Sequence, residues 1–194
     1  MNGISRTVLA SLILSVLVVG GLPAAAQVPS PTADSTEKGA PYVPTPEHIA
    51  LRMLQLADVS GQDVVYDLGS GDGRIVILAA TEFGARGVGV EIDSQLVQKA
   101  RRNAERAGVS HLVEFRQGNL FDVSLEDATV VSLYLWPDMN NRLRPKLRRE
   151  LDPGDRVVSH SFDIDGWEAD TTVSLEDSAM GGTTTKTLFR WTLP

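Results

Sequence analysis

The glycine-rich turn Asp67-Leu68-Gly69-Ser70-Gly71-Asp72-Gly73 limits the fold of this chain more than any other feature. It follows residues 64–68, an apolar and β-branched run typical of a strand that is buried on both faces of a parallel sheet. Apolar residues then recur at helical spacing, at Val76, Ala79, Ala80 and Phe83. Closely spaced glycines let the backbone turn sharply and approach a ligand. The segment therefore predicts a ligand crevice at the carboxyl end of a strand in an open α/β sheet.

The same strand and helix unit repeats along the chain. A second strand is predicted at residues 87–91 and a second helix at 96–107, which Gly108 would end as a C-terminal cap. Upstream, Thr45-Pro46-Glu47 is typical of a helix start, with Thr45 as the N-cap and Pro46 as the first helical residue. Three more strands are predicted at residues 112–115, 128–135 and 156–162, the last after a helix that ends near Leu151.

The C-terminal part has a different pattern. Residues 171–175 and 185–192 predict two strands with no helix between them, around the turn-rich Met180-Gly181-Gly182. An antiparallel hairpin at the edge of the sheet is the simplest arrangement of such a pair. The predicted fold class is therefore α/β, a Rossmann-like, doubly wound and mostly parallel seven-stranded sheet with an antiparallel C-terminal hairpin.

The spacing of the glycines separates the nucleotide ligands. A dinucleotide-binding turn would have its third glycine at position 74, where this chain has Arg74. Asp67 would repel a pyrophosphate, but it could orient the ammonium group of a ligand. Glu91 ends the second strand, where a carboxylate can accept hydrogen bonds from both ribose hydroxyls. The combination favours S-adenosylmethionine (SAM), which carries an ammonium group and a ribose, over NAD or FAD.

On residues 65–73 and on Glu91, the chain resembles the class I, seven-strand methyltransferases that depend on SAM. The resemblance covers roughly residues 41–193. It implies that the turn lines the methionine part of SAM through Gly69, Ser70, Gly71 and Gly73, with Asp67 and Asp72 nearby. It also implies that Glu91 holds the ribose and that Ile92 packs against the adenine.

Further cofactor contacts follow from this resemblance. The family usually has an Asp after the third strand that contacts the adenine amino group, and here Asn119, followed by Leu120, takes that place; the Asn oxygen can still accept the bond. Segments 41–46, 133–140 and 143–147 are similar to a subgroup with mitochondrial protein-lysine methyltransferases of the ATP synthase c-subunit and the adenine nucleotide translocase, and bacterial relatives. There the segment before the first helix closes over the cofactor, so Tyr42 and Thr45 are candidate contacts. The alternative is a helix cap and a packed Tyr.

The acceptor end of the site is predicted at the exit of the fourth strand. Tyr134, Asp138 and His160 are candidate catalytic residues there, against the alternative that a strand-end Tyr or His only packs. Tyr134-Leu135-Trp136-Pro137 lacks the amine-methylating signature of Asn, Asp or Ser followed by Pro-Pro and an aromatic residue. The expected reaction is methyl transfer to an amine, with a protein lysine as one acceptor. A small-molecule N- or O-methyltransferase and a catalytically silent SAM-binding or interaction module are the alternatives.

Composition limits the partners further. A net charge of −7 gives no electrostatic footprint for nucleic acid. A basic run predicts a solvated helix face or, alternatively, a surface for an acidic partner or lipid headgroups; it comprises Arg142, Arg144, Lys146, Arg148 and Arg149. Cysteine is absent, and the three histidines lie in different elements without metal-ligand spacing, so no metal is expected. We expect a monomer with one catalytic domain at residues 41–194.

The N-terminal part predicts two segments that are separate from this domain. Arg6, the apolar residues 8–19 and the small residues before Gln27 have the layout of a secretory signal peptide at residues 1–26. An uncleaved anchor is the alternative, although a span usually needs about 20 apolar residues. Residues 27–40 have the composition of a disordered linker. The expected location is the periplasm or the exterior, or the membrane surface if the anchor is retained.

Overall fold

The computed structural model describes residues 42–177 and 184–194. Four helices are assigned in this part of the chain: α1 (Glu47–Leu56), α2 (Arg74–Phe83), α3 (Ser94–Ala107) and α4 (Pro137–Glu150). Its strands are β1 (Val64–Leu68), β2 (Arg86–Glu91), β3 (Val113–Gln117), β4 (Val130–Leu133), β5 (Arg156–His160), β6 (Thr171–Asp177) and β7 (Thr184–Thr192). They form one seven-stranded sheet in the order β3-β2-β1-β4-β5-β7-β6.

The predicted sheet and its direction pattern are confirmed. Strands β1 to β5 run parallel, whereas β7 runs antiparallel to both β5 and β6. The C-terminal pair is a hairpin at the sheet edge, with β6 outermost and β7 inside. Its turn residues 180–182 lie outside the described residues, as do the signal peptide predicted at 1–26 and the linker predicted at 27–40.

The two faces of the sheet bury different residues, because neighbours along a strand point to opposite faces. Val65 packs on one face with Met53 of α1 and Val76 of α2, in a cluster that also includes residues of α3. Tyr66 packs on the other face with Leu143 of α4. Strands β1 and β4 are therefore buried on both faces, which explains their largely apolar sequences.

One connection differs from the predicted alternation of strands and helices. Residues 118–129, between β3 and β4, form turns and loop without a helix. A cavity of about 350 Å³ lies on the sheet there, lined by residues that include Tyr66, Arg116 and Asp127. It reaches Val64 and Arg86 at the starts of β1 and β2, so it is not the crevice predicted at the carboxyl ends of the strands.

The start of α1 corrects one prediction. The N-cap is Pro46 and not Thr45, and no side chain caps the helix. Thr45 is buried, and its Oγ1 lies 3.2 Å from Nδ1 of His160, a residue of β5. The hydroxyl therefore joins the segment before α1 to the sheet. Within residues 42–177 and 184–194, no helix has the length and apolar character needed to cross a bilayer.

Candidate active site

The carboxyl ends of the parallel strands meet at one edge of the sheet, with β1 at its centre. Leu68 of β1 pairs with Val90 of β2 on one side and with Leu133 of β4 on the other. The glycine turn after β1 therefore lies between Glu91, which ends β2, and Tyr134, which follows β4. Ligands of open α/β sheets bind at an edge of this kind.

The glycine turn requires glycine for two separate reasons. Gly69, Gly71 and Gly73 have φ values of 85°, 54° and 80°, in the left-handed region that strains other residues. Side chains would also lack space: a Cβ on Gly71 would overlap the ring of Tyr42, and one on Gly73 would lie 2.6 Å from Cζ of Phe115. The main chain of the turn therefore contacts the ring of Tyr42 at Gly71 and the ring of Phe115 at Gly73.

Ser70 offers backbone to the crevice and not its hydroxyl. Its Oγ lies 2.7 Å from the position that a Cβ on Gly89 would take, so the side chain faces β2. Among the described residues, this buried hydroxyl has no hydrogen-bond partner. The main-chain N–H groups of Gly69 and Ser70 both donate to the carbonyl oxygen of Val90, which fixes the turn to β2.

Asp67 is a buried carboxyl group directly below the turn. It is 4% exposed and accepts a hydrogen bond from the hydroxyl of Ser132 on β4. Burial raises the pKa of Asp67 to about 7; the Ser132 bond opposes this rise, and repulsion from Glu91 and Asp72 adds to it. A cation beside Asp67 would restore its charged form. The predicted ammonium contact therefore agrees with the electrostatics of this position.

Glu91 is held by two main-chain donors. Its Oε2 accepts from the N–H of Gly71 at 2.9 Å, and its Oε1 accepts from the N–H of Asp93 at 3.0 Å. Each carboxylate oxygen has capacity for a further hydrogen bond. The side chain therefore has a fixed orientation in which two neighbouring hydroxyls, such as those of a ribose, could donate to it.

A polar cluster fastens the segment before α1 to the glycine turn. Arg74 donates to both carboxylate oxygens of Asp72 at 2.9 Å and to the carbonyl oxygen of Thr45 at 2.9 Å. Lys99 lies 3.5 Å from Asp72 and 5.5 Å from the ring centroid of Tyr42. Burial would raise the pKa of Asp72, but hydrogen bonds from Arg74 and Tyr42 and the nearby cations hold it below its usual value. The ring of Tyr42 thus lies against the turn at Gly71, and its contact with a cofactor stays a prediction.

The predicted adenine contacts lie beside Glu91. Ile92 follows Glu91 and is 48% exposed, which is unusual for a large apolar residue in this protein and agrees with a contact to a ligand. Oδ1 of Asn119 accepts from the N–H of Phe121 at 3.0 Å, and Leu120 is buried. Asn119 therefore shapes its own loop, and its contact with the adenine stays a prediction.

The predicted acceptor residues are only partly brought together. The rings of Tyr134 and His160 have centroids 4.0 Å apart. His160 is fully buried; burial, with the charge of Lys186, lowers its pKa to about 4, so the ring is neutral at physiological pH. Burial raises the pKa of Tyr134. Asp138 lies apart from this pair, exposed in the first turn of α4.

Sequence reasoning missed several residues of the site. At position 74 the sequence shows only that the third glycine of a dinucleotide-binding turn is absent. In the structure, Arg74 links Asp72 to Thr45. Ser132, which donates to Asp67, lies in the predicted strand at residues 128–135. Its polar side chain in this largely apolar run is the sequence signal for a role in the site. Trp136 and Phe162 contact each other at the acceptor end, with ring centroids 5.8 Å apart, and only their aromatic character pointed to a role.

The basic run of α4 is largely engaged within the domain. Arg144 donates to the carbonyl oxygen of Asp165, and Lys146 pairs with Glu150 at 2.7 Å. The guanidinium of Arg148 lies 4.8 Å from the ring centroid of Trp167. These contacts favour the helix-face interpretation over a cationic surface for an acidic partner or lipid headgroups.

The chain matches the ANTKMT methyltransferase domain over residues 67–171. It belongs to this family. A protein-lysine N-methyltransferase of Saccharolobus islandicus (strain REY15A) is 48% identical to this chain over 144 residues. The match covers 74% of this chain and 89% of the relative. The adenine nucleotide translocase lysine N-methyltransferase of Mus musculus is 47% identical over 53% of this chain, and the match spans only 44% of the mouse protein.

A solved structure extends the comparison to the fold of this ANTKMT-type domain. An RNA methyltransferase from Salinibacter ruber, in complex with S-adenosyl-L-homocysteine, is 57% identical with a TM-score of 0.73, covering 78% of this chain and 94% of its own. The predicted family, subgroup and fold class are thereby confirmed, and the S-adenosyl-L-homocysteine bound to that neighbour, which is the demethylated form of SAM, agrees with SAM as the predicted cofactor.

Proposed function

We propose that this protein transfers a methyl group from SAM to the side-chain amine of a lysine in a protein. The observation that carries the proposal is the convergence at one sheet edge of the glycine turn, the fixed carboxylate of Glu91 and an acceptor end at Tyr134. The lysine methyltransferases among the relatives support a lysine acceptor.

The site would hold SAM through residues that fit each of its parts. Asp67 would face the ammonium group, Glu91 the ribose hydroxyls, and Ile92 with Asn119 the adenine. SAM supplies an activated methyl group on a sulfonium. The protein's contribution is to align the acceptor nitrogen with that methyl group and to exclude water. The new N–C bond forms from the nitrogen lone pair as the C–S bond breaks, and the bond's electrons stay on sulfur.

The acceptor must first lose a proton, because a lysine ammonium has no free lone pair. The acceptor end provides a half-buried environment at Tyr134 and a neutral, buried His160 beneath it. Transfer of a lysine from water to such surroundings favours its neutral form by lowering its pKa. Tyr134 and His160 would thus shape the acceptor pocket, and the proton would leave to solvent. The exposed Asp138, in the first turn of α4, stays a predicted acceptor residue.

RNA is the second acceptor to consider, because the Salinibacter ruber neighbour carries the description of an RNA methyltransferase. The acidic net charge of −7 and the engagement of the basic residues of α4 within the domain favour a protein acceptor. Phosphate recognition usually requires several available cationic side chains on one surface.

The experiment is a labelling assay with three acceptor fractions. The purified domain and methyl-labelled SAM are incubated with proteins, RNA and small molecules from the same cell lysate, and labelled protein is hydrolysed to amino acids. We expect label in Nε-methylated lysine, and several-fold less label with the Glu91→Ala variant when SAM is kept below its dissociation constant for the parent. Label confined to RNA or to the small-molecule fraction would refute the lysine proposal while leaving methyltransferase activity in place.

The place of action is a further part of this proposal. The N-terminal pattern at residues 1–26 supports export or retention at a membrane, where the acceptor would be a protein of the same compartment.

A further inference from the structure

We infer that Tyr134, Trp136 and Phe162 form a surface that binds the methylated ammonium group of a lysine side chain. We call these three residues the aromatic face. The inference rests on the proposed function and adds to it that a lysine which has already received a methyl group is itself a ligand of this site.

The three rings are arranged as an open surface and not as a closed core. The Tyr134 and Phe162 rings are stacked, with centroids 6.5 Å apart and an angle of 18° between their planes. Trp136 lies 5.8 Å from Phe162 at 37°, and it is 52% exposed. The exposed Trp136 and the half-buried Tyr134 and Phe162 together form an aromatic surface that is accessible from solvent at this edge of the sheet. Apolar surface of this kind outside the core commonly marks a binding site.

The main chain at Phe162 is held by a turn and by two hydrogen bonds. Ser161, directly after β5, has φ 68°, in the left-handed region that is strained for a residue with a Cβ. The carbonyl oxygen of Phe162 accepts from Oγ of Ser159 at 2.6 Å and from Nδ2 of the fully buried Asn140 at 3.3 Å. The turn and the two bonds to the carbonyl oxygen fix the main chain at Phe162, so its ring projects from a fixed point beside Tyr134 and Trp136.

The aromatic face adjoins the methyl-donating end of the cofactor site. Leu135, between Tyr134 and Trp136, has its Cδ2 3.0 Å from the position that a Cβ on Gly69 would take. The chain segment that carries the aromatic face therefore touches the glycine turn. An acceptor nitrogen near these rings would lie at the acceptor end of the edge, beyond the turn that holds the methionine part of SAM.

The chemistry of the ligand follows from the chemistry of the rings. Methylation keeps the positive charge of lysine but replaces N–H donors with methyl groups. Such a cation gains little from a hydrogen-bond acceptor, whereas aromatic faces attract it electrostatically. The aromatic face thus fits a methylated lysine better than a neutral apolar side chain.

The test compares a cation with its neutral counterpart. N-acetyl-Nε,Nε,Nε-trimethyllysine amide and the isostere with a tert-butyl group in place of the trimethylammonium are titrated into the domain saturated with S-adenosylhomocysteine. Saturation-transfer NMR of their methyl protons gives both dissociation constants. We expect the cation to bind on the order of tenfold more tightly than the isostere.

Two variants at one position supply the control. Trp136→Leu keeps apolar bulk but removes the most exposed ring of the aromatic face, and we expect it to lose most of the preference for the cation. Trp136→Phe keeps an aromatic ring and should retain most of the preference. Both variants should bind S-adenosylhomocysteine within about twofold of the parent. Equal binding of the two probes by the parent, or an unchanged preference in Trp136→Leu, would overturn the inference.

The result of this titration and the result of the labelling assay can be told apart. A parent protein that prefers the cation but transfers no label to lysine retains the aromatic face and refutes the lysine acceptor. A parent that labels lysine but binds both probes equally retains the proposed function and refutes the aromatic face as a cation site.

Discussion

The charge state of Asp67 should couple the binding of SAM to pH. The buried carboxyl group has a pKa of about 7 without ligand. If the ligand's ammonium group requires the ionised form, binding releases one proton from the protonated fraction. Relative to its high-pH limit, the affinity for SAM should then fall about twofold at pH 7 and about tenfold at pH 6.

Two calorimetric measurements test this coupling. Titrations of SAM between pH 5.5 and 8 give the pH dependence of the dissociation constant. Titrations at pH 6 in buffers with different ionisation enthalpies give the number of protons released, which should approach one. An affinity that stays constant from pH 6 to pH 8, with no proton release, would refute the assignment of Asp67 to the ammonium group.

The Asp67→Asn variant separates the charge from the shape of the side chain. It should lose the pH dependence and bind SAM weakly throughout. Because the folded-state pKa of Asp67 is raised, its contribution to stability is complete below its unfolded pKa and is lost as pH rises through about 7. The ligand-free variant should therefore melt at a higher temperature than the parent at pH 8. Asp127→Asn, an exposed residue at the opposite edge of the sheet, is the matched control.

Three further predictions concern the cofactor site and the N-terminus. Glu91→Ala should raise the dissociation constant for SAM at least about tenfold, because charged hydrogen bonds to the ribose are lost. The exposed Glu105→Ala is the control and should bind SAM as the parent does. If calorimetry gives Glu91→Ala and the parent the same affinity for SAM, the ribose assignment is contradicted. Arg74→Ala should speed the dissociation of S-adenosylhomocysteine in stopped-flow experiments, because it removes the bonds from Arg74 to the carbonyl oxygen of Thr45 and to the hydroxyl of Tyr42; the exposed Arg86→Ala should leave the rate unchanged, and equal rates for both variants would exclude a closing segment. N-terminal sequencing of the native protein should begin at Gln27, and an intact Met1 would refute cleavage.

The cofactor half of the site could be predicted from the sequence because its signals are local. Gly69, Gly71 and Gly73 stand within one turn, and Glu91 ends the next strand, so the order of elements alone brings them to one edge. Backbone constraints act at fixed positions along the chain. A left-handed φ or a close backbone contact leaves a glycine in the sequence, and that glycine can be identified without knowledge of its neighbours.

The acceptor half has no comparable local signal, because its contacts join distant parts of the chain. Thr45 was expected to cap α1, yet its hydroxyl contacts His160, which lies 115 residues away. Phe162 acquires its position only when Ser161 turns the chain and Asn140 holds it from another element. Each of these residues has an ordinary role when taken alone. Their convergence depends on the register of β4 and β5 and on the helices packed beside them, so the predicted acceptor end arises from tertiary structure, whereas the glycine turn and Glu91 stand within two consecutive strand–turn units of the chain.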